Sequence, residues 1–363
     1  MTTPSLAAQR LYAQLLSRPG PATPAEVVRW FGAVQAQELP GAVVALGLRV
    51  PGATVETIER AIADRGIVRT WPMRGTIHFV AAEDARWMLA LLARRTNRKA
   101  ASVYRRAGLT PDDFTRAGVA LAAALQGGMA LTRPEAYAAL EAAGLATGGE
   151  QRGLHMLGYW AREGLVCLGP RRGKQPTYVL LDEWVPNQRD LEGDAAVAEL
   201  ALRYFTSHGP ATAQDFAWWS GLTLGEVRRG IAAIEGQIER QTVAEHTYWL
   251  APPLASLPAE ASVVYLLPQY DEYTVAYRDR EAALHPAFPR DPFLILGPVV
   301  VADGRAVGSW KRTLAKGGVM VAITLYTPLT ALQREEIERA VEWYGRFHGL
   351  SAAAEVRQAE AGS

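Results

Sequence analysis

The spacing of apolar and polar residues changes near residue 251. Before that point, apolar residues recur at helical intervals, and each helical stretch is followed by short alternating runs. After it, strand-like runs dominate, and Asp303-Gly304 predicts a hairpin turn between two of them. An amphipathic helix is predicted from Thr330 to His348. This C-terminal part, 256–363, is predicted to be a small β-barrel or curled sheet capped by a helix.

Three segments of the helical part begin alike, at Pro21, Ala130 and Pro210. In each, a threonine stands shortly before a helical stretch with an acidic residue in its first turn, which is typical of a helix N-cap. In the second and third segments the helix ends at a Gly-Leu turn, and a second helix is predicted over 151–163 and 224–234. This order of elements is the helix-turn-helix pattern.

Each repeat continues with two alternating runs around a polar or basic tip, as in a hairpin. The runs lie between Gly66 and Val80, Gly164 and Leu181, and Gly236 and Leu250. A helix-turn-helix followed by a hairpin is a winged helix, so the predicted fold class is α+β with three tandem winged-helix units. The predicted domains are 1–125, which includes a helical extension, 126–190, 191–255 and 256–363.

The composition is that of an ordinary globular protein, with 49% hydrophobic and 21% charged residues. No apolar run is long enough for a transmembrane helix, and the N-terminus lacks the basic segment and apolar core of a secretion signal. The single cysteine, Cys167, excludes an intrachain disulfide and a cysteine-based metal site. The expected location is the cytoplasm, in association with the nucleoid.

Charge is unevenly distributed, although the net charge is only +1. Nine Lys or Arg but two acidic residues lie between Arg69 and Arg106, which indicates a polyanion-binding surface or, alternatively, a solvated helix face. Phosphate contact is also favoured at the second hairpin tip and on the second helix of the third repeat; solvation or ion pairing is the alternative. The predicted DNA-binding residues are Arg94, Arg95, Arg98, Lys99, Arg105, Arg106, Arg171, Arg172, Lys174, Arg228 and Arg229.

Signatures of common enzyme classes are missing from the sequence. The six histidines have no metal-ligand spacing. There is no Walker A loop, dinucleotide fingerprint or Gly-X-Ser-X-Gly motif. We therefore expect no metal and no cofactor.

The segment from Gln269 to Arg280 is dense in carboxylates and tyrosines. Neighbouring carboxylates suit acid–base chemistry, but an ion-pair corner that attaches the β-rich part to the helices is the favoured interpretation. His78 alternates with apolar neighbours in a predicted strand, so it is expected to be a partly buried structural histidine or to lie near a site in the first repeat. The residues considered close to a site are His78, Arg74, Asp271, Tyr273 and Lys311.

Two glutamines, Gln35 and Gln37, flank Ala36 in the stretch FGAVQAQELPGA. The pattern before them is helical, and Pro40-Gly41 is a breaker, so the pair is predicted to lie at an exposed helix end. Ala36 is expected to face the interior. Because amides are poor acids and poor bases, the residues alone predict only surface hydrogen bonding.

Several stretches resemble the AlkZ-like winged-helix DNA glycosylases, a family that includes the YcaQ/AlkX branch. The similar stretches are WFGAVQAQELPGA, RTWPMRGTIHFVAAEDARWM, LLPQYDEYTVAYRDR and ADGRAVGSWKR, distributed over nearly the whole chain. The family's signature is Gln-Φ-Gln or Gln-Φ-Asp. Gln35-Ala36-Gln37 has the first form, which resembles the branch tied to self-resistance against DNA-alkylating natural products. The resemblance implies a concave basic surface for duplex DNA, made by the three winged helices, together with a β-barrel.

The resemblance also implies a role for the two amides. Alkylation at N7 of guanine or N3 of adenine makes the base a cationic leaving group, so no general acid is needed. A glutamine oxygen can hold the attacking water and present a negative dipole to an oxocarbenium-like sugar. Gln35 and Gln37 are therefore the expected catalytic residues of a monofunctional glycosylase acting on alkylated purines, including bulky adducts or interstrand crosslinks.

The main alternative is a non-catalytic winged-helix DNA-binding protein, such as a transcription regulator. A lyase would need a Schiff-base lysine, and Lys311 is the one lysine within a family-like stretch. The expected partner is double-stranded DNA with alkylated purines, and no membrane is involved. A monomer is expected because three linked modules already provide multivalent binding.

Overall fold

The computed structural model describes residues 5–252 and 262–359. The chain forms two compact units: unit 1 comprises Met1–Glu59 and Ala198–Ser363, and unit 2 comprises Arg60–Val197. Unit 2 is thus an uninterrupted segment between the two parts of unit 1. The division into four domains stays a prediction, and its last boundary, at 255/256, lies outside the described residues.

The first part of unit 1 consists of helices and one short strand. Its elements are α1 (Leu6–Ala13), α2 (Pro24–Phe31), β1 (Ala33–Gln35), α3 (Leu39–Gly47) and α4 (Val55–Ala63), the last continuing into unit 2. The predicted cap of the first repeat is confirmed, because Thr23 and Glu26 form a capping box at the start of α2. Gly32 follows α2 with a φ of 78°, a conformation that glycine adopts without a steric penalty.

Unit 2 combines helices with an antiparallel sheet. Its elements are β2 (Ile67–Met73), β3 (Thr76–Ala81), α5 (Ala85–Met88), α6 (Arg94–Lys99), α7 (Ala101–Arg106), α8 (Pro111–Leu125), β4 (Leu131–Thr132), α9 (Arg133–Ala142), α10 (Arg152–Arg162), β5 (Val166–Arg172), β6 (Gln175–Leu180) and α11 (Leu181–Trp184). A 3₁₀ turn (Ala82–Asp84) precedes α5, and a π-helical turn (Leu89–Ala93) follows it. Within this unit the strand order is β3-β2-β5-β6-β4.

Two of the predicted hairpins lie in unit 2 and are confirmed, as β2–β3 and β5–β6. The predicted cap of the second repeat is also confirmed, because Thr132 and Glu135 form a capping box on α9. α10 corresponds to the helix predicted over 151–163. Apolar side chains such as Trp87, Leu121 and Leu157 are buried in this unit, and their burial stabilises it.

The chain returns to unit 1 within a long helix and then forms the third repeat. The elements are α12 (Gly193–His208), α13 (Ala213–Ser220), α14 (Leu224–Ala233), β7 (Glu239–Val243) and β8 (His246–Leu250). Thr212 and Asp215 form the predicted cap as a capping box on α13. α14 corresponds to the helix predicted over 224–234, and β7 and β8 pair as the predicted hairpin.

The rest of unit 1 is a sheet covered by a helix. Its elements are β9 (Val264–Leu267), α15 (Glu272–Val275), a 3₁₀ turn (Glu281–Ala283), α16 (Pro292–Ile295), β10 (Val299–Ala302), β11 (Arg305–Ala315), β12 (Gly318–Leu325), α17 (Ala331–His348) and β13 (Ser351–Gln358). The Asp303-Gly304 turn joins β10 to β11 as predicted. The predicted C-terminal helix is present as α17, which packs against β9, β12 and β13.

This sheet is open, so the prediction of a small closed β-barrel is not confirmed. Its order is β13-β12-β11-β10-β9, with β12 and β13 parallel and the other neighbours antiparallel. Among the described strands, β9 and β13 are its two edges and do not pair with each other. A core that includes Leu267, Phe288 and Val299 lies on it. No helix within 5–252 or 262–359 is both long and apolar enough to span a membrane.

Candidate functional site

The Gln-Ala-Gln stretch lies in an extended segment, so the prediction that it ends a helix is wrong. α2 ends at Phe31, and Gln35 is the last residue of β1. Pro40 stands in the first turn of α3, where its missing N–H leaves no intrahelical hydrogen bond unmade. Pro40-Gly41 therefore begins the next helix instead of stopping the previous one.

Gln35 and Gln37 differ in exposure, and a hydrogen bond between them fixes the backbone of the segment. Ala36 is buried, as predicted, whereas Gln35 is half-buried and Gln37 is exposed. The side-chain Oε1 of Gln35 accepts a hydrogen bond of 2.9 Å from the backbone N–H of Gln37. Glu38 then caps α3 by accepting from the backbone N–H of Gly41. The segment thus holds the Gln37 backbone in place and presents its side chain to solvent.

Glu272 supports this segment from the interior of unit 1. Its Oε1 accepts a 2.6 Å hydrogen bond from the backbone N–H of Gln35. Its Oε2 accepts a 3.0 Å hydrogen bond from Nε1 of Trp219 and lies 3.3 Å from Nε2 of His208. Since Glu272 is only 1% exposed, the hydrogen bonds take the place of hydration and fix the carboxylate.

His208 is kept neutral by its surroundings. Burial lowers the pKa of its imidazole, although the hydrogen bond to Glu272 acts in the opposite direction. Nδ1 lies 2.8 Å from Oγ of Ser207, and the ring stacks on Tyr204 with centroids 4.7 Å apart. The carboxylate favours the tautomer that carries its proton on Nε2, so that the imidazole donates to Glu272.

Asp271 has a structural role next to Glu272. Its two oxygens accept hydrogen bonds of 2.8 Å from the two terminal nitrogens of Arg49, and both residues are buried. The expected ion-pair corner is therefore present, and the partner of Asp271 is Arg49. Asp271 also caps α15 by accepting from the N–H of Tyr273, whose hydroxyl donates to the carbonyl of Gly304 at 2.6 Å.

Lys311 lines a cavity of about 340 Å³ in unit 1. Glu38, which directly follows Gln37, lines the same cavity, together with Trp310, Arg312 and Tyr344. Arg312 donates to the hydroxyl of Tyr344 at 2.6 Å, so this side of the cavity is held in place. Lys311 itself is exposed on β11.

The candidate residues of the first hairpin belong to unit 2. His78 lies in β3 and is fully buried, not partly buried as predicted. Its Nδ1 lies 3.1 Å from the carbonyl oxygen of Thr76. Arg74 is half-buried at the β2–β3 turn, where its φ is 55°.

The predicted phosphate-contacting residues are largely exposed. Arg94, Arg98, Lys99, Arg105 and Arg106 are exposed on α6 and α7 of unit 2, and Arg95 is half-buried. Arg94 lies 3.6 Å from a carboxylate oxygen of Glu163.

The hairpin tip of unit 2 is a second exposed basic group, made of Arg171, Arg172 and Lys174. Arg172 pairs with Glu135 at 2.6 Å and also donates to the carbonyl of Ala130. Part of its charge is thus already neutralised by the protein. In unit 1, Arg228 and Arg229 are exposed on α14.

Three residues that position the Gln-Ala-Gln segment were not predicted as site residues: His208, Trp219 and Glu272. They are separated along the chain and meet only in the folded unit. Glu272 stood within a stretch singled out for its carboxylates, so that density was the one indication of its role. Among the described residues, no cluster of His, Cys, Asp and Glu could hold a metal ion.

Comparisons with known proteins agree with this architecture. The family model described as "DNA glycosylase AlkZ-like" matches residues 28–347. An interstrand DNA cross-link repair glycosylase from Streptomyces sahachiroi is 28% identical, covering 95% of this chain and 96% of the relative. The solved structure of the Streptomyces sahachiroi DNA glycosylase AlkZ is similar with a TM-score of 0.80 and 25% identity, covering 99% of this chain and 100% of that one. The chain therefore belongs to the AlkZ-like family of DNA glycosylases.

Proposed function

We propose that this DNA glycosylase hydrolyses the N-glycosidic bond of alkylated purines in double-stranded DNA, with N7-alkylguanine and N3-alkyladenine as substrates. The observation that carries the proposal is the Gln-Ala-Gln segment, whose backbone Glu272 holds at Gln35 while the Gln37 side chain is exposed. An exposed amide on a fixed backbone suits a reaction in which the enzyme has only to position the attacking water.

The chemistry follows from the charge of the damaged base. When the bond between C1′ and the base nitrogen breaks, its electron pair neutralises the cationic base, so no acid need protonate the leaving group. The sugar acquires oxocarbenium character, and a water oxygen forms the new bond to C1′ and releases a proton to solvent. Gln37 accepts a hydrogen bond from that water. Gln35, whose amide oxygen holds the Gln37 backbone at 2.9 Å, orients it.

Bulky adducts and interstrand crosslinks are the proposed substrates beyond simple methyl lesions. A relative of similar length is named an interstrand DNA cross-link repair glycosylase. The Gln-Φ-Gln form of the motif supports self-resistance to a DNA-alkylating natural product as the biological role. We propose that the protein acts as a monomer on DNA in the cytoplasm.

The proposed DNA surface is built from three winged-helix modules. The order of helices and hairpins around α9–α10–β5–β6 and α13–α14–β7–β8 supports two of them. We propose that Arg94–Arg106, the tip at Arg171, Arg172 and Lys174, and Arg228-Arg229 contact phosphates, because these cations are largely exposed.

Single-turnover release of 7-methylguanine from a duplex tests the proposal. Gln37→Ala and Gln35→Ala should slow release about 10²-fold or more, by analogy with removing one preorganised polar group. Gln37→Asp should keep part of the activity, because a carboxylate also holds water. Gln237→Ala, at an exposed glutamine of unit 1, is the matched control and should retain the wild-type rate.

Two outcomes would overturn the proposal. Wild-type rates in both Gln-Ala-Gln variants would leave the segment without a catalytic role. Release no faster than the spontaneous reaction would favour a non-catalytic DNA-binding protein. Borohydride should trap no covalent enzyme–DNA adduct, because a monofunctional enzyme forms no Schiff base; an adduct lost in Lys311→Ala would instead indicate a lyase.

A further inference from the structure

A large cavity in unit 2 has no part in the base-release chemistry proposed above. It has a volume of about 860 Å³, which is within the range of small-molecule sites. Its walls come from the π-helical turn at Leu89–Ala93 and from α6, α7, α8 and α10. All of the lining residues lie in 90–163, a span that the structure describes completely.

One wall of the cavity is cationic. Arg94, Arg95, Arg98 and Arg105 line it, against the single carboxylate of Glu163. Arg94 lies 3.6 Å from Glu163 and balances its charge. The side chains of Arg98 and Arg105 are exposed and make no hydrogen bond or ion pair with the described residues. Two guanidinium groups are thus available to an anion.

Another part of the lining, which we call the aromatic wall, consists of Phe114, Tyr159 and Trp160. Tyr159 stacks on Phe114 with ring centroids 4.3 Å apart and planes at 30°. Trp160 is held next to them by a 2.8 Å hydrogen bond from its Nε1 to the carbonyl of Phe114. Tyr159 and Trp160 are only half-buried, so the wall offers part of its aromatic surface to the cavity. Such rings can stack on any nucleobase, so binding of this kind does not depend on the nucleotide sequence.

The side-chain amide of Asn97, which lines the cavity, already has hydrogen-bond partners within the protein. The Asn97 side-chain nitrogen donates to Glu163 at 2.7 Å, and its oxygen accepts from Arg162 at 2.6 Å and Tyr104 at 3.1 Å. This amide therefore has little capacity left to read the edge of a base. The cavity is suited to stacking and phosphate binding and not to sequence recognition.

The backbone at the start of the cationic wall is unusual. Leu89–Ala93 forms a π-helical turn, a conformation found often at functional sites. Ala90 and Leu91 of this turn line the cavity, and the turn ends directly before Arg94, the first of the lining arginines. The wide turn and the cationic wall thus belong to one continuous stretch of chain.

We propose that this cavity binds one unpaired nucleotide, with its base against Tyr159 and Trp160 and its phosphate against Arg98 and Arg105. This site would extend the phosphate contacts already proposed for Arg94–Arg106. It rests on the proposed function in one respect, namely that the nucleotide belongs to DNA. A free mononucleotide has the same chemistry, so the experiment separates the two sources.

The test measures the anisotropy of a labelled oligothymidylate of about eight nucleotides and of an abasic oligomer with the same number of phosphates. Wild-type protein should prefer the thymidylate by about tenfold, the effect of stacking one base. Tyr159→Leu should remove the preference. Because that variant removes packing, Ala101→Leu, which fills the cavity from α7, serves as a second variant and should also remove it.

Charge variants test the phosphate contact. Arg98→Ala with Arg105→Ala should weaken binding of the oligothymidylate and abolish competition by thymidine monophosphate, whereas Arg339→Ala with Arg346→Ala, the same loss of charge at exposed residues of α17, should do neither. Strong competition by the monophosphate would identify a free nucleotide as the ligand, and weak competition would identify a strand. Equal wild-type affinity for the thymidylate and abasic oligomers would overturn the proposal.

Base release is measured on the same wild-type preparation, so that the two proposals can fail separately. A preference for the thymidylate without base release contradicts only the proposed function. Base release without the preference contradicts only the nucleotide site.

Discussion

The backbone N–H of Gln35 donates a 2.6 Å hydrogen bond to Glu272, which lies 237 residues further along the chain. The same carboxylate accepts from Trp219 of α13 and lies against His208 of α12. One buried side chain therefore relates the position of the Gln-Ala-Gln segment to three helices of unit 1. Its removal is expected to affect both stability and activity.

Glu272→Gln should destabilise the protein by about 1–3 kcal/mol, the range for leaving a buried polar group unsatisfied. The carboxylate faces donors from Gln35, Trp219 and His208, and a carboxamide would place its own N–H₂ against one of them. Urea denaturation measures the loss, and single-turnover base release should slow as the segment shifts. Glu335→Gln, at an exposed site on α17, is the control. Equal behaviour of the two variants would contradict this role.

Asp271→Ala should lower the free energy of unfolding by about 3–5 kcal/mol, because it leaves the buried Arg49 charge without its partner. The comparison is Glu342→Ala, which breaks the Arg346–Glu342 pair, whose side chains are 69% and 67% exposed. That variant should lose at most about 1 kcal/mol. Denaturant unfolding of both variants decides the point, and a loss at Asp271 no larger than at Glu342 would show that the corner is not structural.

Stability should fall as the pH drops below the ordinary histidine pKa of 6.5. Burial lowers the pKa of His208 in the folded protein below its value in the unfolded chain. At a pH between these two pKa values the unfolded chain binds a proton that the folded protein does not, and this proton stabilises the unfolded chain relative to the folded protein. Burial lowers the pKa of His155 and His348 in the same direction. His208→Gln should reduce the slope of unfolding free energy against pH by up to about 1.4 kcal/mol per unit. An unchanged slope between neutral and mildly acidic pH would refute the assignment.

Arg171→Ala with Lys174→Ala should weaken binding to all duplex sequences alike and lower the salt slope by roughly two units, one for each phosphate contact. Arg172→Ala should have a smaller effect, because Glu135 already pairs with it at 2.6 Å. Titrations at several salt concentrations measure the slopes. Arg339→Ala, on α17 of unit 1, is the control. If the double variant keeps the wild-type slope, the tip does not contact DNA.

Local features of the fold could be predicted from the sequence because their causes are local. Thr23, Thr132 and Thr212 each stand at the start of a helix and donate their backbone N–H to a carboxylate three residues later, and that spacing is visible in the chain. The three hairpins and the Asp303-Gly304 turn follow from alternation and turn chemistry in the same way.

The errors arose where tertiary contacts decide the structure. Pro40-Gly41 is compatible with the start of a helix as well as with its end, and the Glu38 cap selects the start. Alternating strands indicate a sheet but not whether its edges meet. The pairing of Arg49 with Asp271, and of the Gln35 backbone with Glu272, joins residues more than two hundred positions apart, which no periodicity reveals.

The insertion of unit 2 between the two parts of unit 1 has a consequence during translation. Arg49 is synthesised 222 residues before Asp271, and at typical elongation rates this delay is on the order of 10–40 s. In that interval the whole of unit 2 is synthesised before the second part of unit 1 is available to pack against the N-terminal helices. Slow codons within 60–197 would lengthen this interval, so we expect the yield of native enzyme to depend on elongation rate and on chaperones that bind nascent chains.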